Sequence, residues 1–134
     1  MSTGGLTPRD REELQVLEGL MNRVRHGHGL VERFAAEITN PEPHAIALRR
    51  LFGQLKLQMS GAGLDTLSQT CGALEMAARR GGSHVAKTRI LRDGIASLRQ
   101  QIELAQRAVR MNRQREAGEQ EKADASGAQE PAVE

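Results

Sequence analysis

Leu48-Arg49-Arg50-Leu51-Phe52-Gly53-Gln54-Leu55-Lys56-Leu57 is followed, across Ser60-Gly61-Ala62-Gly63, by Leu64-Asp65-Thr66-Leu67-Ser68-Gln69-Thr70-Cys71-Gly72-Ala73-Leu74-Glu75. In the first stretch Leu48, Leu51 or Phe52, Leu55 and Met59 return at spacings of three and four, the period of one buried helix face. In the second, Leu64, Leu67, Cys71, Leu74 and Ala78 do the same. The small, glycine-rich stretch between them is a turn. Two helices joined by so short a link pack antiparallel.

Working outward, Thr7-Pro8-Arg9-Asp10 has the form of a helix start, with Thr at the N-cap, Pro at the first helical position and acid in the first turn. Leu14, Leu17, Met21, Val24, His28, Val31, Ala35 and Ile38 then define the seam of one long first helix. Gly27 and Gly29 in its middle each cost about 1 kcal/mol relative to Ala, so a bend at Gly27-His28-Gly29 is one outcome. Asn40-Pro41-Glu42-Pro43 stops that helix, and Asn40 is the cap expected for the next. Gly81-Gly82 ends the third helix and Ser83 caps the fourth, whose inward residues are Leu91, Ile95, Leu98, Ile102, Ala105 and Val109.

The chain of 134 residues has two Phe, no Trp and no Tyr, and 38% hydrophobic residues. Such a core is built from aliphatic side chains, which suits helix-on-helix packing, and strand alternation and hairpin turns are missing. The expected fold is all-α, an antiparallel up-down four-helix bundle over 8–115, with a disordered lead-in over 1–7 and a disordered acidic tail over 116–134. Between Glu116 and Glu134 six acids stand against Lys122, leaving that segment at −5 and the remainder, 18 Lys and Arg against 11 acids, at +7. A basic body points to an acidic partner, or to a tail that screens it. No apolar run long enough for a bilayer and no signal pattern occur, and the single Cys71 excludes an internal disulfide and a multi-cysteine metal site. A cytoplasmic protein is the expectation.

The quoted residues resemble the signature helix pair of histidine-containing phosphotransfer (HPt) domains, the relay modules of bacterial two-component phosphorelays. That family reads roughly L-R-R-x-x-H-x-L-K-G, then G-x-x-x-L-x-x-x-C-x-x-L-E. Leu48-Arg49-Arg50, Leu55-Lys56, Gly63, Leu67, Cys71 and Leu74-Glu75 fall into that register without a gap. The phosphoacceptor histidine is replaced by Gly53, and the small residue after the lysine by Leu57. The resemblance implies an exposed position 53 that, in working members, attacks the phosphoaspartate of a receiver domain, with the lysine offsetting phosphate charge. It implies no cofactor and no metal in this chain, since the receiver supplies Mg²⁺.

Group transfer needs a nitrogen nucleophile with a pKa near neutrality, and Gly53 has no side chain. The resemblance then implies a degenerate, non-catalytic member that binds a response-regulator receiver domain or a histidine kinase through Arg49, Arg50, Gly53, Gln54, Lys56, Leu57, Ser60 and Gly61. Gly53 reads either as drift after loss of function or as a pit that admits a partner. A rival reading is an active phosphotransferase using a displaced histidine, His44 or His84; both sit at helix starts, where a surface histidine is the default. His28 lies on the apolar seam, the place of a hydrogen-bonded core histidine. No Cys or acid near His26 and His28 completes a metal site at a useful spacing, which speaks against a metal. A third reading is a basic helical module for nucleic acid or assembly, drawn from Arg79, Arg80, Lys87, Arg89, Arg92, Arg99, Arg107, Arg110, Arg113 and Arg115. No aromatic stacking residue or recognition-helix turn accompanies them, so an acidic protein partner explains the charge better. Self-association stays open, and no enzyme constellation of an independent kind is placed on a site.

Overall fold

The computed structural model describes residues 6–133, with side chains described from residue 6 to residue 111. Four helices follow one another: α1 (Pro8–Ala36), α2 (Glu42–Gly61), α3 (Asp65–Arg79) and α4 (His84–Val133). No strand occurs among the described residues, and the class is all-α.

The chain divides into two compact units. The first, residues 1–17 with 104–134, holds the opening turns of α1 and the far part of α4. Its N-terminus is a capping box: the Asp10 N–H donates to Thr7 Oγ1 at 3.0 Å, and the Thr7 N–H donates to Asp10 Oδ2 at 3.1 Å. The expected disordered lead-in lies outside the described residues apart from Leu6 and Thr7. The backbone of α4 is helical through to Val133, where the sequence reading ends the bundle at residue 115 and expects a disordered tail; its side chains lie outside the described residues. That reading rests on the missing apolar face, but Glu, Gln, Lys and Ala are also good helix formers, and Pro131 is the only proline there.

The second unit, residues 18–103, is a bundle of parts of all four helices. Its core is Leu20, Met21, Val24, Val31 and Phe34 from α1, Ala45, Leu48, Leu51, Phe52, Leu55 and Met59 from α2, Leu67, Cys71, Leu74 and Ala78 from α3, and Leu91, Ile95, Leu98 and Ile102 from α4. Each such large apolar side chain contributes roughly 1.5–3 kcal/mol when fully buried. The neighbours run in a closed order. Arg23 on α1 donates to Gln54 and Gln58 on α2; Ser68 Oγ on α3 donates to the Lys56 carbonyl on α2 at 3.0 Å; Gln101 on α4 meets Thr70 on α3 at 3.3 Å; Arg92 on α4 grips Glu32 on α1 at 2.7 and 2.8 Å.

Two glycines set the close approaches. A Cβ on Gly27 would stand 2.9 Å from Leu51 Cδ2 and 3.2 Å from Ile95 Cδ1, so α1 meets α2 and α4 there. A Cβ on Gly94 would collide with Leu74. This corrects the expected seam of α1. Gly27, not His28, faces the core; Leu20 and Phe34 are buried; His28 is exposed, and Ile38 lies past the helix end, 77% exposed. The glycine carries no hydropathy signal, so apolar counting steps over it and loses one residue of phase. The helix continues unbroken through Gly27 and Gly29.

The turns follow local chemistry. After α2, the Leu64 N–H donates to the Met59 carbonyl at 2.8 Å and the Gly63 N–H to the Ser60 carbonyl at 3.1 Å, a Schellman motif. It places Gly63 at φ +76°, where a Cβ is penalised. Ser83 caps α4 by accepting from the Ala86 N–H at 3.2 Å. Asn40 does not cap α2: Pro41 holds the N-cap position without a side-chain hydrogen bond, and its carbonyl accepts from the His44 and Ala45 N–H groups.

Candidate functional site

An open groove of about 580 Å³ runs between α2 and α3. It is lined by Ile46, Arg49, Arg50, Gly53, Gln54 and Leu57 from α2 and by Glu75 and Arg79 from α3. The α2 residues share a face because they recur at three and four, and the buried residues of α2 occupy the opposite one. The Schellman turn fixes how α3 returns along α2, which sets Glu75 beside Gly53 and Gly72 beside Lys56.

The centre of the groove is the meeting of Gly53 with Glu75. Gly53 is half-buried rather than exposed. A Cβ at residue 53 would lie 2.6 Å from Glu75 Oε2 and 3.6 Å from Glu75 Cδ. The carboxylate therefore fills the space that a side chain at 53 would use, and the expected pit is occupied. Arg79, one helical turn further along α3, pairs with Glu75 at 3.5 Å, and the Glu75 side chain retains 21% exposure. On α2, Arg49 pairs with Glu42 at 2.7 Å, while Arg50 is exposed. Gln54 accepts from Arg23 Nη2 at 2.7 Å, which steadies this edge against α1.

Of the eight residues marked in the sequence, Arg49, Arg50, Gly53, Gln54 and Leu57 line the groove together. Lys56 does not line it. Its stem passes over Gly72, where a Cβ would come within 3.6 Å of Lys56 Cδ, and its ammonium lies on the neighbouring surface. Ser60 and Gly61 are exposed in the last turn of α2 and lie outside the groove. Leu57 is 74% exposed and Ile46 45%, so two apolar side chains stand at either end of the α2 face. Ile46 shares the α2 face by spacing, and Glu75 and Arg79 enter only with the α2–α3 pairing.

The histidines sit elsewhere. His26 and His28 are exposed on α1, and His44 is half-buried in the first turn of α2. His84 packs on Phe34 with ring centroids 4.5 Å apart, and its Nε2 lies 3.2 Å from the Ala35 carbonyl. A carbonyl only accepts, so Nε2 carries the proton. The remaining nitrogen, Nδ1, is buried without a partner among the described residues. Both ring nitrogens are thus withheld from a reaction partner. Burial pushes the Cys71 thiol up to about 12, and its Sγ packs 3.3 Å from Met59 Sδ. No cluster of His, Cys, Asp or Glu that could hold a metal occurs among the described residues, and no described helix is long and apolar enough to cross a membrane.

The chain matches no protein-family model, no curated protein and no solved structure. The likeness to phosphotransfer domains rests on the register of Leu48 to Glu75 alone. The groove in that segment has cationic walls, two apolar ends and one anionic centre. Its lining contains no histidine.

Proposed function

We propose that the chain is a non-catalytic, HPt-like signalling protein of bacterial type that binds a two-component partner in the cytoplasm. The partner is a response-regulator receiver domain or a histidine kinase. The observation that carries the reading is the gapless register of Leu48 to Glu75 with Gly53 at the phosphoacceptor position. Three further features support it. Arg49, Arg50 and Arg79 wall the groove around that position, which favours an acidic partner and speeds encounter with it. Leu57, exposed one turn beyond Gly53, adds apolar contact where a phosphotransfer surface keeps a gap. Finally, His84 has both ring nitrogens engaged or buried, which weighs against a displaced phosphoacceptor there.

Titration calorimetry against a panel of purified receiver domains and kinase cores tests the reading. Binding that weakens with added salt and is lost in Lys56→Glu combined with Gly53→Arg is the expected result, without transfer of label from a phosphorylated receiver. Absence of binding across the panel, or binding indifferent to both substitutions, removes the proposal. Label that appears on the chain and is lost in His44→Ala or His84→Ala replaces it with the phosphotransferase reading.

A further inference from the structure

We infer that Glu75 makes this face selective for the unphosphorylated form of its partner. The inference rests on the docking reading above and deepens it by naming the state of the partner that is recognised.

In that reading, position 53 faces the aspartate that is phosphorylated on the partner. An imidazole at that point can meet a phosphoryl group. Here the group at that point is a carboxylate, since Glu75 Oε2 lies 2.6 Å from where the Cβ of residue 53 would be. Arg79 pairs with it there at 3.5 Å, and the side chain keeps 21% exposure.

A bare aspartate brings one negative charge to this surface, and Arg50 and Arg79 on the groove walls offset it. Phosphorylation raises that charge to about −1.5 to −2 and adds three acceptor oxygens. Glu75, ionised, is acceptor-only and donates nothing to them. The cations cannot reverse the balance at the centre. Arg49 pairs with Glu42 at 2.7 Å, Arg79 pairs with Glu75 itself from one turn further along α3, and Arg50, exposed, stands one turn before Gly53 on α2. Coulomb energy falls with distance, so the nearest charge decides the sign, and like charges pressed together in a partly dried contact discriminate against the wrong partner.

The test uses the whole chain and a receiver domain that binds it, titrated in one magnesium buffer with and without beryllofluoride, a stable mimic of the aspartyl phosphoryl group. The wild-type chain is expected to bind at least about tenfold more weakly once beryllofluoride is present. Glu75→Gln keeps the shape and removes the charge, and is expected to abolish that difference with its helical content unchanged by circular dichroism. Equal affinity of the wild-type chain for both forms overturns the inference, as does a preference that survives in Glu75→Gln, and either result leaves the docking reading in place. Failure of both chains to bind either form overturns the docking reading and this inference with it.

Discussion

The same substitution at two helical glycines should act with opposite sign. At Gly94 a methyl group would stand 2.8 Å from Leu74 Cγ and 2.9 Å from Leu74 Cδ1, with Cδ2 closer still. Leu74 is 3% exposed, and Cγ is the branch point of the side chain, so no rotation of its tip clears the clash. Gly94→Ala gains about 1 kcal/mol of helix propensity. It loses about 1–3 kcal/mol through overpacking, toward the upper end here because three atoms are struck. The net expectation is destabilisation by roughly 1–2 kcal/mol. Leu74→Ala alone should cost about 2–5 kcal/mol through the cavity it leaves. In that background the clash is gone, and Gly94→Ala should stabilise by up to about 1 kcal/mol. The two sites are then coupled by roughly 2–3 kcal/mol, within the range for residues in contact. At Gly53, by contrast, a methyl group meets only the carboxylate end of Glu75, which is flexible and partly exposed, so Gly53→Ala should stabilise by up to about 1 kcal/mol. The chain has no Trp or Tyr, so urea unfolding is best followed by far-ultraviolet circular dichroism. If Gly94→Ala stabilises the wild-type chain as much as Gly53→Ala does, the contact between α3 and α4 described above is wrong.

Restoring the missing chemistry is a second test: Gly53→His with Leu57→Gly should acquire acid-labile, base-stable label from a phosphorylated receiver, while the parent chain acquires none, as read by autoradiography. Persistent lack of label in a folded double variant would count against the register on which position 53 is assigned. The hydrogen bond from Arg92, with its charge, holds the Glu32 carboxyl below the usual carboxylate range. A depressed folded-state pKa stabilises above the unfolded value and ceases to do so as pH falls through the folded one. Arg92→Ala should therefore lower the melting temperature slightly near neutral pH and make no difference in strong acid, where Glu32 is protonated in both chains. Cys71 is buried with a thiol pushed up to about 12, so a neutral-pH thiol reagent should modify it only after unfolding, at a rate that follows denaturant. Rapid modification of the native chain would contradict its burial on α3 against Met59 of α2.

Three helix ends were legible because their chemistry is local, whereas the Asn40 cap and the end of α4 were not. Thr7 with Pro8, Gly63 and Ser83 act within four residues of themselves, and each does what its type dictates. Most of the core was legible from spacing as well, since Leu, Ile and Met on α2, α3 and α4 carry a strong apolar signal. Gly27 and Gly94 were not, because a glycine that admits a neighbouring helix looks the same in sequence as one that merely weakens its own. On the candidate site, Arg49, Arg50, Gly53, Gln54 and Leu57 share one face of one helix and could be grouped by counting. Glu75 and Arg79 join them only through the pairing of two helices. That Glu75 leans into the space left at Gly53 depends on its side-chain rotamer and on Arg79, and no periodicity encodes either.

The first turn of α4 acts as a clasp. His84 donates to the Ala35 carbonyl in the last turn of α1, and Lys87 Nζ donates to the Ala78 carbonyl near the end of α3 at 3.2 Å. Two helices are thus finished by side chains that follow them in the chain, one 49 residues after Ala35 and the other nine after Ala78. During synthesis, the carbonyls ending α1 and α3 must face water until residues 84 to 87 have left the ribosome, so a nascent chain stopped short of that point keeps two frayed ends, and arrival of the final helix closes both together.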